Sequence, residues 1–108
     1  MVDYSMNDDT ELIWALEAEY DRDEGFLGRL RVGSFDADGL ERLLKLLESI
    51  DFGEPTMISR RVVSLLWIIP TFMGWQAERV AKKHGDVEAL RHGIDKVEAV
   101  LNKVLGTP

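Results

Sequence analysis

From Val62 to Trp75 the chain runs for fourteen residues without a charged side chain, VVSLLWIIPTFMGW, with two arginines before it and QAER after it. Such a run leaves water, either for a bilayer or for the protein's own interior. A spanning helix needs about 20 apolar residues, and this stretch also contains Pro70 and Gly74. Its length fits a buried core helix. Ile58, Val62, Leu65, Leu66 and Ile69 recur on one helical face, and Val63 and Trp67 widen it. Pro70 lacks a backbone donor and crowds the carbonyl one turn earlier, at about 3 kcal/mol inside a helix. The segment is therefore expected as one helix kinked or broken at Pro70, with Thr71 able to cap a second piece. Trp67 and Trp75 flank that point and are expected in the core.

The other segments read as partners for this helix. Val87, Leu90, Ile94, Val97, Leu101 and Val104 step by three and four residues, a seam packed along a neighbour, with Asp86 as its cap and Gly85 closing the helix before it. In FDADGLERLLKLLESIDFG, Leu40, Leu43, Leu44, Leu47 and Ile50 mark one face and Glu41, Arg42, Lys45 and Glu48 the other. Asp36 and Asp38 compete as its cap. A first helix begins near Asn7–Asp9, with Leu12, Ile13, Leu16 and Tyr20 at helical spacing. GFLGRLRVGSF, residues 25–35, alternates like a strand, but no partner strand is evident elsewhere, so a short helix near 26–31 and a turn at Gly33–Ser34 are expected. The predicted fold is all-α: a compact bundle of four main helices, the third kinked or broken at Pro70, plus that short helix. One domain, residues 1–108, accommodates it.

Charge narrows the range of partners. Residues 1–54 hold fifteen acidic and five basic side chains, whereas residues 55–108 hold five acidic and eight basic. Nine carboxylates stand in the first 24 residues against Arg22 alone. With a net charge of −7, the field repels nucleic acid and anionic lipid and attracts basic macromolecules. MVDYSMNDDTEL has neither the basic start nor the apolar stretch of a secretory leader, and the chain has no cysteine. Both fit a reducing, cytoplasmic setting.

The residue types that carry chemistry do not assemble into a pattern. His84 and His92 are eight apart with no third histidine, so no metal set is read. DRDEG starts like a calcium loop, but the glycine and glutamate positions of that motif fall on Phe26 and Val32. Ser59 and Ser64 lie on a helix and not in a nucleophile elbow. The glycines at 25, 28, 33 and 39 show no phosphate-binding spacing. No catalytic, cofactor or metal residue is assigned, and an enzyme is not expected. Arg60 and Arg61 sit at a helix start, where cations oppose the dipole, and could instead pair with N-terminal carboxylates.

GFLGRLRVGSFDADGLERLLKLL followed by ISRRVVSLLWIIPTFMGWQAERV resembles the immunity proteins of bacterial polymorphic toxins, in particular those of contact-dependent growth inhibition. The resemblance spans roughly residues 25–80 and rests on overall pattern. It implies a small cytoplasmic protein that neutralises a cognate toxin domain in a stoichiometric complex, without a cofactor, as a monomer or weak dimer. A nuclease toxin would present a basic surface, which an acidic inhibitor can cover. Asp8, Asp9, Glu11, Glu17, Glu19, Asp21, Asp23 and Glu24, with Trp14 among them, are the expected partner-facing residues; Asp36, Asp38, Glu41 and Glu48 extend the set. The alternative reading is a non-enzymatic helical adaptor or regulatory module.

Overall fold

A computed structural model describes residues 3–52 and 58–106, with side chains from residue 10 onward. Among the described residues every regular element is helical: α1 Asp3–Glu19, α2 Phe26–Leu30, α3 Ala37–Glu48, α4 Arg60–Trp67, α5 Ile69–Trp75, α6 Ala77–Lys82 and α7 Val87–Leu105. The all-α bundle is as expected, including the short helix at 26–30. Among the described residues no helix is long and apolar enough to cross a membrane.

α7 is the longest element, and α3, α5 and α6 pack against it. Asp86 Oδ1 accepts from the N–H of Ala89 at 2.9 Å and starts the helix. Leu90, Val97 and Leu101 are buried, while Val87 and Ile94 pack half-buried against the core. α3 supplies Leu40, Leu43, Leu44 and Leu47. Asp36, not Asp38, caps it: its Oδ1 accepts from the N–H of Asp38 at 3.2 Å. α1 lies against α4, and Tyr20 donates its hydroxyl proton to the Leu65 carbonyl at 3.2 Å while meeting the Phe72 ring edge-on.

The expected third helix is three short ones. Ile68 ends α4 and caps α5, and Gln76 likewise joins α5 to α6; both keep right-handed helical backbone, so each joint is a bend and not a loop. Pro70 falls in the first turn of α5, where a missing N–H loses no helical bond. The break thus precedes Pro70, and Thr71 caps nothing. The buried line runs Val62, Leu65, Leu66, Ile69, Phe72, Met73, Val80. Trp67 stands about 100° around the helix from Leu66, off that line. It is 56% exposed and Trp75 64%, so both tryptophans expected in the core lie on the surface.

α6 closes through a pair of bonds, from the N–H of Gly85 to the Val80 carbonyl and of His84 to that of Ala81. The left-handed residue is His84, at φ 61°, and not the glycine after it. α2 ends in the same way on Gly33 at φ 88°. At its start α2 crosses the end of α1 with backbones touching: a Cβ on Gly28 would stand 1.9 Å from the Asp21 carbonyl oxygen, and one on Gly25 2.4 Å from that of Ala18.

Candidate functional site

The acidic surface is built on α1. Its inward face carries Leu12, Ile13, Leu16 and Tyr20, so Glu11, Trp14, Glu17, Ala18 and Asp21 line up along the outward side. Trp14 is 67% exposed, with an exposed carboxylate one turn before it and another one turn after it. A side chain of this size gains much from being covered, and here it stands between the carboxylates of Glu11 and Glu17.

The expected partner-facing carboxylates separate into distinct roles. Asp23, Glu24, Asp38, Glu41 and Glu48 are exposed, as expected. Asp21 is also exposed, and its Oδ2 accepts from the N–H groups of Asp23 and Glu24 at 3.1 and 2.9 Å, which shapes the turn after α1. Glu17 takes an ion pair from Arg61 at 2.7 Å, the tie between N-terminal acid and central base anticipated from the sequence. The side chains of Asp8 and Asp9 lie outside the described residues.

Two of the expected partner-facing carboxylates make bonds within the fold. Glu19 is 5% exposed. Its Oε1 accepts from the Phe26 N–H at 3.0 Å and from Arg42 Nη2 at 2.9 Å, and its Oε2 from Arg42 Nε at 3.0 Å. Arg42 also donates to the Glu24 carbonyl at 3.2 Å. One carboxylate thus satisfies a free N–H at the start of α2 and holds a guanidinium of α3 through two bonds. That pairing raises the Arg42 pKa, with desolvation opposing it. Asp36 uses Oδ1 as the cap of α3 and Oδ2 to accept from Arg29 at 3.1 Å. Both arrangements have one cause: residues 25–35 fold back over the end of α1, and these carboxylates lie where helix starts need acceptors.

The fold also makes a feature that the sequence did not reveal. A cleft of about 460 Å³ opens between α1 and the end of α3, with Leu12, Ala15, Leu46, Ile50 and Phe52 in its walls and Glu11 and Asp51 at its edge. Its apolar lining comes from positions about 35 residues apart, so no local pattern marks it. A second cleft, about 430 Å³, lies under Trp67 and Pro70 against Leu101 and Leu105 of α7. Among the described residues no group of three or more His, Asp or Glu is placed to hold a metal ion. His84 is exposed in the turn after α6 and His92 is exposed on α7. Comparison with protein-family descriptions, curated proteins and solved structures finds no match for this chain.

Proposed function

We propose that this chain is a non-enzymatic, cytoplasmic inhibitor of the immunity-protein kind, which neutralises a basic toxin domain by covering it with the outward face of α1. The observation that carries the reading is Trp14, exposed between the exposed carboxylates Glu11 and Glu17. Such a face steers a basic partner at long range and then buries one large aromatic anchor. The cleft beside it, apolar within and acidic at Glu11, suits a basic residue flanked by apolar ones.

The test is co-expression with a toxin domain sought in the neighbouring reading frame, followed by growth rescue and binding kinetics on the purified pair. Trp14→Ala should leave the unfolding midpoint unchanged and weaken the complex by at least tenfold, about 1.4 kcal/mol or more. Neutralising Glu11 and Glu17 together should slow association and flatten its salt dependence. Full rescue and unaltered kinetics in both variants would remove α1 from the interface.

A helical adaptor is the second reading, supported by exposed Trp67 and Trp75, which give a second aromatic surface on α4 and α5. Loss of binding on Trp67→Ala with retention on Trp14→Ala would favour it.

A further inference from the structure

In a chain where acidic residues outnumber basic ones by 20 to 13, the fold gathers cations from distant positions into one groove. Three adjoining clefts of about 280, 280 and 300 Å³ share Arg31; Arg22 and Arg79 line the first, Arg61 with its ion-pair partner Glu17 the second, and Arg79, Lys82 and Lys83 the third. We propose that this groove docks an acidic peptide segment of a protein partner. The groove meets the outward face of α1 only at Glu17, in the wall of the second cleft, and the proposal does not depend on the inhibitor reading.

Three observations support it. First, two of the guanidiniums are positioned by uncharged groups. Arg79 Nη1 donates to the Arg31 carbonyl at 2.7 Å, and the Arg31 guanidinium lies 5.4 Å from the centre of the Phe72 ring. Second, among the described residues no carboxylate lies within ion-pair distance of Arg22, Arg31, Arg79, Lys82 or Lys83. Gathering five unneutralised cations costs mutual repulsion, which an incoming carboxylate relieves while accepting paired bonds from a guanidinium fork. Third, Leu65, Ile68 and 45%-exposed Val32 lie between the charges, so apolar side chains find contacts too.

The same features select a peptide over nucleic acid. Bases need open aromatic faces for stacking. Phe72 is buried beneath Arg31, and Tyr20 stands edge-on against Phe72. A long polyanion also feels the net charge of −7, whereas a short segment feels mainly charges within a Debye length of about 8 Å.

The experiment titrates the full chain with an end-capped peptide of alternating Glu and Leu, following backbone amide shifts. A Lys–Leu peptide and a single-stranded DNA oligonucleotide of matched length serve as comparators. Shifts centred on Arg22, Arg31, Val32 and Arg79 and weakening with salt are expected. Lys82→Glu with Lys83→Glu, two exposed positions, should reduce affinity roughly tenfold or more without changing the unfolding midpoint. Arg31→Gln with Arg79→Gln should reduce it further. Equal binding of the Lys–Leu peptide, tighter binding of the oligonucleotide, shifts centred elsewhere, or unchanged affinity in the lysine variant would each overturn the proposal.

Discussion

Replacing Glu19 by alanine removes three charge-assisted bonds at once and leaves the buried Phe26 N–H without its acceptor. An orphaned buried amide costs about 1–3 kcal/mol, and bonds to charged groups contribute about 1.5–3 kcal/mol each before solvent compensates. Arg42 is half-exposed and regains water when released, so its share is small. The sum is about 3 kcal/mol. Glu19→Gln keeps an oxygen for the amide but loses the charge, for about 1–1.5 kcal/mol. Arg42→Met leaves a nearly buried carboxylate with one remaining donor and should cost about as much as Glu19→Ala. Urea unfolding measures this directly: with a slope of about 1–1.5 kcal/mol/M, Glu19→Ala should lower the midpoint by about 2 M. The pair is tied together further by a double-mutant cycle, in which a coupling above about 1 kcal/mol is expected. A loss under about 1 kcal/mol for Glu19→Ala, or a coupling near zero, would show that this carboxylate sits in solvent and does not bind α2 to α3.

Gly28→Ala places a methyl group against the Asp21 backbone and should destabilise by about 3 kcal/mol or more, since neither backbone can yield cheaply; an unchanged urea midpoint would contradict the crossing of α1 and α2. His84→Gly relieves a left-handed side-chain residue and should raise stability by about 0.5–1 kcal/mol, whereas Gly85→Ala brings a Cβ to 2.7 Å from Val80 Cγ1 and should lower it. Burial pushes the Tyr20 hydroxyl up to about 12 against the opposing pull of Arg61, so the folded state holds this proton more tightly than the unfolded chain, which releases it near 10.0. The resulting stability is present in full below pH 10.0 and is lost as the pH rises through about 12. Its ceiling is about 2.7 kcal/mol, reduced to about 1 kcal/mol by solvent screening at the half-buried ring. Tyr20→Phe should accordingly flatten the decline of the urea midpoint across that window, and parallel curves would refute the assignment.

The amphipathic helices were legible in the sequence because their information is local. The α7 seam and the leucine face of α3 repeat at helical spacing, and Asp36 and Asp86 cap their starts, whereas α1 begins at Asp3, ahead of the start read near Asn7–Asp9. Glu17 and Glu19 show what was not legible. They belong to one acidic run and look alike in sequence, yet Glu17 faces Arg61 at the surface while Glu19 is buried beneath α2. The difference comes from the chain folding back through Gly25 and Gly28, a backbone-to-backbone approach with no periodic signature. Trp67 and Trp75 were misplaced for a related reason. Hydrophobicity indicated burial, but aliphatic residues and Phe72 already fill the faces by which α4 meets α1 and α5 meets α7. The cationic groove escaped notice because its members, between positions 22 and 83, meet only once the bundle forms.

The three-piece segment from Arg60 to Lys82 has a consequence for how the molecule comes apart. Its pieces hold eight, seven and six residues, each far below the ~12–15 at which an isolated helix becomes even marginal in water. They persist because α7 and α1 back them. Prying α7 away therefore takes the backing from α5 and α6 and melts them, with the helix that carries Trp75, while α4 and Trp67 stay against α1.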